Sequence, residues 1–187
     1  MAFIAVYDAN VLHPASLRDL LVRLGLTGLF RARWTEQILD EMVTSIVRRR
    51  SDLDPQRLAR TRELMCDAIA DCLVTGYEPL IDALELPDPH DRHVLAAAIR
   101  SNAGVIVTAN LDDFPPSALE PFNIEAQSPD NFVLHLVELA PARVAAVVQQ
   151  QATALNNPPQ TVDDLLERLV RNGLPRAVAS LRAYLDG

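Results

Sequence analysis

The chain opens on a continuous apolar run, Phe3-Ile-Ala-Val-Tyr7, that stops at Asp8. Five apolar positions without alternation predict a strand of a parallel sheet, buried on both faces. Val105-Ile-Val-Thr108 has the same character, and Asn123-Ile-Glu-Ala126 reads as a last, weaker strand. Elsewhere the spacing turns helical. Leu17, Leu20, Leu21 and Leu24 share one face of a helix predicted from Leu17 to Phe30, with Ser16 as its N-cap. Thr35 caps a helix predicted to about Arg50. Asp54-Pro55 opens another reaching about Cys72, because proline fits a first helical turn and aspartate accepts from its free N–H groups. Leu73 to Ile81 is ambiguous, interrupted by Gly76 and Pro79. Asp88-Pro89 begins a helix ending near Asn102-Ala-Gly104, where Gly104 supplies the stop. Pro115, Pro116 and Pro121 suit a loop crossing the end of a sheet.

From about Pro129 the pattern is helical only. Asn131–Leu139, Ala142–Leu155, Val162–Arg171 and Arg176–Leu185 are separated by Pro141, Asn156-Asn-Pro-Pro159 and Gly173. Strands alternating with helices, then helices alone, predict a three-layer α/β core and an all-helical tail. The apolar faces of that tail, such as Val162, Leu165, Leu166, Leu169 and Val170, need a surface to cover. Assembly with a partner is the expectation; capping the core of the same chain is the alternative. The strand order is not set by this pattern.

A chain of 187 residues, 49% apolar and 22% charged, is long enough for one full core and a small appendage. No apolar run approaches the roughly 18 residues of a membrane span. The opening segment has no basic leader before Asp8. A cytoplasmic protein without a membrane partner is expected. Cys66 and Cys72 form neither a Cys-x-x-Cys pair nor a zinc pattern and read as buried thiols.

The net charge of −8 argues against a nucleic-acid partner, but its distribution changes that picture. Up to Met65 there are 10 arginines against 8 acids; from Cys66 to His135 there are 2 against 12. The early excess includes Arg48-Arg49-Arg50. Solvated helix faces would give the same distribution. The sequence contains no lysine. That excludes P-loop hydrolases, whose phosphate cradle ends in Gly-Lys-Ser/Thr, and Schiff-base chemistry. It also argues against a haloacid-dehalogenase-type phosphatase, which further wants Asp-x-Asp where this chain has Asp8-x-Asn10.

Candidate chemistry gathers at the strand ends. Asp8 stands at the carboxyl end of a buried strand, where open α/β sheets place their ligands; a turn or N-cap role is the alternative. Asp91 shares a helix face with Val94, Leu95 and Ala98 and would look inward over the strand ends; a capping role beside Asp88 is its alternative. Periodicity does not select Glu41. The stripe Ile38, Leu39, Met42, Val43, Ile46 and Val47 leaves Glu36 nearer its centre. The second strand runs into Thr108-Ala-Asn110-Leu-Asp-Asp113, a hydroxyl, an amide and two carboxylates at one strand end.

These segments together resemble PIN-domain nucleases, the fold of bacterial VapC-type toxins. Tyr7-Asp8-Ala-Asn10-Val-Leu12 is similar to the family's opening Asp-x-Asn-x-Leu, and Ile38-Leu-Asp-Glu41-Met42 to its first acidic helix. Asp91-Arg-His-Val-Leu-Ala-Ala-Ala98 is similar to its Asp-x-x-x-x-Ala-x-Ala helix, and Thr108-Ala-Asn110-Leu-Asp-Asp113-Phe114 to the motif after the fourth strand. The resemblance covers residues 2–126 and divides the chain into a PIN-like nuclease domain, 1–128, and a helical C-terminal extension, 129–187. It implies a three-layer α/β/α fold with a mostly parallel five-stranded sheet, and Mg²⁺- or Mn²⁺-dependent cleavage of single-stranded RNA. Asp8 and Asp91 would be metal ligands, and Glu41 would bind a second ion or position water. Asn110 stands where many members carry a fourth aspartate, so Asp113, or less readily Asp112, would supply that carboxylate. Asn10, Thr108 and Asn110 would support the site. Arg31, Arg33, Arg48, Arg49 and Arg50 are candidate RNA contacts. The implied partners are RNA, a cognate antitoxin and a second copy of the chain. A PIN-like binding or assembly module with little or no catalysis is the rival. His90 and His93 beside Asp91 read as hydrogen-bonded helix residues, and Trp34 as core.

Overall fold

A computed structural model describes residues 2–187; Met1, the first residue of the expected nuclease domain, lies outside the described residues. Its sheet has four strands, all parallel, in the order β2-β1-β3-β4. These are β1 (Phe3–Tyr7), β2 (Phe30–Arg33), β3 (Val105–Val107) and β4 (Glu125–Gln127). The fully apolar runs became the two central strands, β1 and β3. The fifth strand that the resemblance implied is absent among the described residues. In its place Leu73 makes a single parallel bridge to Trp34, flanked by Trp34 N–H to Cys72 O at 2.9 Å and Val74 N–H to Trp34 O at 2.8 Å. Gly76 turns at φ +70, and a 3₁₀ turn at Glu78–Ala83 carries Pro79 at its start, so the extended stretch cannot lengthen.

Helices α1 (Ala9–Leu12) and α2 (Ala15–Gly25) join β1 to β2. The helix expected to run to Phe30 ends early, because Phe30 begins β2 with its ring and Ala32 turned into the core. Pro14, not Ser16, precedes α2. After β2 come α3 (Glu36–Arg49) and α4 (Pro55–Ala68). Thr35 caps α3 by accepting from Ile38 N–H at 3.0 Å, and Asp54 caps α4 from Gln56 N–H at 2.9 Å. A 3₁₀ turn at Pro89–Asp91 feeds α5 (Arg92–Ser101). Asn102, left-handed at φ 54, ends that helix two residues before the expected Gly104. A short α6 (Pro116–Leu119) lies between β3 and β4.

The last four helices are α7 (Pro129–Leu139), α8 (Pro141–Ala154), α9 (Val162–Arg171) and α10 (Pro175–Asp186). They belong to the same core as the sheet. Phe132 of α7 packs edge-on against Phe30 (5.0 Å between ring centroids), Tyr7 (6.3 Å) and Phe3 (6.4 Å). Buried Gln151 of α8 donates to the Ser16 carbonyl of α2 at 2.9 Å. Leu165, Leu166 and Leu169 are buried. The tail therefore covers its own chain's core, and the expectation that its apolar faces await a partner is corrected. Val170 alone of the residues named for it is well exposed.

Phe132→Ala should cost about 3–5 kcal/mol of stability, because the ring fills a closed aromatic cluster. Urea unfolding followed by circular dichroism checks this. Truncation after Gln127 should give insoluble protein; a soluble product with the native spectrum would return the tail to an accessory role.

Candidate active site

Strand order changes direction at β1. One connection leaves it for β2 on one side, while β3 and β4 lie on the other. Open parallel sheets bind ligands outside the strand ends at such a point. Asp8 and Thr108 are the first residues past β1 and β3, tied by Asp8 N–H to Val107 O at 3.0 Å. Asp8 occupies the cap position of α1, yet its carboxylate caps nothing. It accepts instead from Thr108 Oγ1 at 2.8 Å and Asn10 Nδ2 at 2.8 Å, both reaching Oδ2. Asn10 Nδ2 also reaches Thr108 Oγ1 at 3.0 Å, and Asn10 Oδ1 accepts from Ala109 N–H at 3.0 Å. Asn10 and Thr108 thus form a lattice that fixes Asp8 and knits β1 to the loop after β3.

Asp91 occupies the cap position of α5 and is likewise free of capping; Asp88 caps the turn instead, accepting from His90 N–H at 2.8 Å. The end of α5 points its first turn over the strand ends, where the helix dipole favours negative charge. Two acids expected either to cap or to act are thus both released from capping.

Electrostatics joins the acids. Asp8 is 5% exposed, and burial raises its pKa while Thr108 and the Ala9 backbone pull the other way. Glu41 raises it further and His93 lowers it. Asp91 is pushed from its ordinary 3.8 to about 6, first by burial, then by the charges of Asp8, Asp88 and Asp113. The repulsion between Asp8 and Asp91 falls on Asp91 because Asp8 holds the stabilising donors. Glu41 of α3 faces α5, its Oε1 2.9 Å from His93 Nε2. Among the described residues, no three Asp, Glu, His or Cys side chains stand close enough to hold a metal ion as placed. The donor set is nevertheless hard oxygen, and its unrelieved repulsion is what a divalent cation would remove.

Glu36 and Glu41 part company here. Val47 is 42% exposed, so the buried stripe narrows to Ile38, Leu39, Met42 and Ile46. The two glutamates then flank it on opposite sides. Glu36 pairs with Arg62 of α4, together with Asp40, while Glu41 meets His93. Asp113 is half-buried and its charge reaches Asp91, whereas Asp112 and Asn110 are exposed. Sequence reading missed His93 as the partner of Glu41. Its only signal was an imidazole on a face otherwise made of Val, Leu and Ala.

The arginines are not brought to one place. Arg31 pairs in register with Ile4, four residues before Asp8, so it sits about 13 Å down the sheet. Arg33 lies 3.4 Å from the Ala32 and Ala70 carbonyls, and Arg50 is locked to Asp52 by two hydrogen bonds of 2.9 Å. Arg48 and Arg49 are exposed, without an ion-pair partner among the described residues, about 10 Å along α3 from Glu41. Trp34 is fully buried and stacked on Tyr7 at 6.1 Å, so it presents no face to a base. Cys66 and Cys72 are free thiols, Cys72 buried. No single helix among the described residues is long and apolar enough to cross a membrane.

Two family comparisons match this chain. The PIN domain model matches residues 5–112, which include Asp8, Glu41, Asp91, Thr108 and Asn110 and stop one residue short of Asp113. A second model, the VapC50 C-terminal domain, matches residues 129–183. A protein of Mycobacterium tuberculosis named "Putative ribonuclease VapC50" is 45% identical over 112 residues. That match covers 60% of this chain and 66% of the relative, so the chain spans just under two thirds of the relative's length. No solved structure matches the chain significantly.

A pKa raised in the fold means that the Asp91 carboxyl favours folding below about pH 4 and that this contribution is lost as pH rises through about 6. Asp91→Asn, which fixes the neutral form, should therefore melt above wild type at pH 7 in chelator, with the gap closing toward pH 4. Paired calorimetric melts at the two pH values check this. An equal gap at both would mean that Asp91 carries no such repulsion.

Proposed function

From the premise that the chain belongs to the PIN-domain family, we propose that it is a metal-dependent endoribonuclease of the cytoplasm, cleaving single-stranded RNA as the toxin of a toxin–antitoxin pair. One observation carries the reading. Asp8 and Asp91 both occupy helix-cap positions at the strand ends, and neither side chain caps. Their gathering destabilises Asp91 as an anion, and a protein with no ligand for those acids has no evident use for that cost. The relative's printed name adds ribonuclease activity as the class of reaction.

Divalent metal is general among VapC-type PIN ribonucleases. Asp8 and Asp91 would hold the ion, with Glu41 and Asp113 swinging in to complete the set. A bound Mg²⁺ or Mn²⁺ would supply an activated water and neutralise charge on the attacked phosphate. The chain's own groups do the rest. The Thr108 hydroxyl and Asn10 amide fix one oxygen of Asp8 and leave Oδ1 without either donor. Glu41 Oε1 faces His93, and Oε2 takes no hydrogen bond among the described residues, which leaves it able to accept a proton from an incoming water. Arg48 and Arg49 are the arginines best placed to hold the RNA backbone, by contacts that carry no sequence information. A cognate antitoxin and a second copy of the chain are the protein partners that go with the toxin role.

Purified protein should cleave generic single-stranded RNA with Mg²⁺ or Mn²⁺ and fail in excess EDTA. Asp8→Asn and Asp91→Asn should each lower the rate by about a hundredfold or more without changing the circular dichroism spectrum. Glu41→Gln should cost far more than Glu36→Gln. Mg²⁺ at about a hundredfold excess over its Kd should stabilise wild type by about 2.7 kcal/mol and Asp8→Asn by much less. Cleavage that survives EDTA would sink the metal mechanism, and RNA binding without cleavage under any metal would favour the binding module.

A further inference from the structure

One buried polar side chain stands beside the acids with no assigned task. His93 is 2% exposed, on the first turn of α5, two residues after Asp91. Its Nε2 lies 2.9 Å from Glu41 Oε1, across the gap between α5 and α3. That approach has the distance of an ion pair but not the alignment of a hydrogen bond, and Nδ1 has no partner either. A buried imidazole left so poorly satisfied is uncommon, since buried polar atoms are nearly always paired.

The two tautomers of a neutral imidazole are not equivalent here. A proton on Nδ1 would point at no acceptor and would leave the Nε2 lone pair facing a carboxylate oxygen. A proton on Nε2 points at Glu41. Only the second makes an attractive contact, and a small rotation of the glutamate brings it into line. Glu41 needs such a partner. Its side chain is 41% exposed, has three torsions and makes no hydrogen bond among the described residues. The imidazole is the rigid member of the pair, held within α5 beside buried Val94, Ala96 and Ala97. Glu36 is the contrast on the same helix: it leans outward on Arg62.

We infer that His93 is a positioning residue, whose buried imidazole holds Glu41 Oε1 and so turns Oε2 toward Asp8. The inference rests on the reading of Glu41 as a site residue. His93 touches neither RNA nor ion; it acts through Glu41, by fixing one rotamer among several.

The full-length protein is tested as Glu41→Gln, His93→Phe, His93→Leu, His93→Gln and the double variant Glu41→Gln/His93→Phe. Three readouts are taken: kcat and KM on generic single-stranded RNA with Mn²⁺, the Mn²⁺ dissociation constant by electron paramagnetic resonance, and the melting temperature. Losing a group that orients a site residue typically costs about 10–100-fold, so His93→Phe and His93→Leu should lower kcat by that much with KM little changed. His93→Gln, whose amide N–H reaches the position of Nε2, should recover most of the loss. Mn²⁺ should bind more weakly in Glu41→Gln and His93→Phe by similar factors, and no more weakly in the double variant. If the two substitutions add in the double variant, or if His93→Phe and His93→Leu lower the melting temperature but keep kcat, His93 is core packing and the inference is overturned. Should His93→Phe not fold, His93→Leu and His93→Gln decide by the same comparison. If Glu41→Gln itself cleaves like wild type, Glu41 is not a site residue and the role of His93 falls with it. Full loss in Glu41→Gln with undiminished activity in the His93 variants overturns the inference alone.

Discussion

A carboxylate at the end of a buried parallel strand has almost no water to stabilise it, and the hydrogen bonds of Asp8 answer that constraint. Thr108 and Asn10 both donate to its Oδ2, and Asn10 in turn accepts from the Ala109 backbone. The Thr108 hydrogen bond opposes the rise in pKa that burial imposes on Asp8. The lattice also adds side-chain bonds between the two central strands just beyond the last backbone bond, Asp8 N–H to Val107 O. Because Asp8 is settled by these donors, the repulsion in the site lands on Asp91, the acid with fewer attachments. The rest of the site is arranged around that inequality.

The helical tail bears on the same point from behind. Phe132 wedges against Tyr7, the residue before Asp8, and against Phe30 of the edge strand β2. Tyr7 is further pinned by its hydroxyl, which donates to the Leu21 carbonyl at 3.0 Å. The backbone that aims Asp8 therefore depends on residues from the far end of the chain. The first helix of the extension thus packs directly on two strands of the sheet. The two family matches end at residue 112 and begin at residue 129, and the core runs across the interval between them.

Some of this was legible in the sequence and some was not, for identifiable reasons. β1 and β3 were legible because both faces are covered, which leaves an unbroken apolar run. β2 was not: Phe30-Arg-Ala-Arg33 is a four-residue strand with alternating burial, and it merged with the leucines of α2. The caps at Thr35, Asp54 and Asp88 were legible because capping is local chemistry. Glu41 was not selected by periodicity, because Val47 is apolar yet exposed and dragged the apparent stripe toward Glu36. What decided between the glutamates was the identity of their partners, Arg62 and His93, which lie 26 and 52 positions away. The tail's helices were readable and the surface they cover was not, since amphipathic spacing shows that a face is buried but not by what.

The two halves of the lattice around Asp8 are 100 positions apart in the chain. A ribosome adding about 5–20 residues per second needs about 5–20 s to pass from one to the other. During that interval β1 has neither its β3 partner nor the threonine that steadies its carboxylate, and the aromatic wedge from α7 follows later still. Parallel pairings of this separation form late in any case, because the closing loop has to be ordered first. A growing chain thus carries the acids long before it carries their arrangement. Topology alone therefore separates in time the synthesis of the acids from their arrangement.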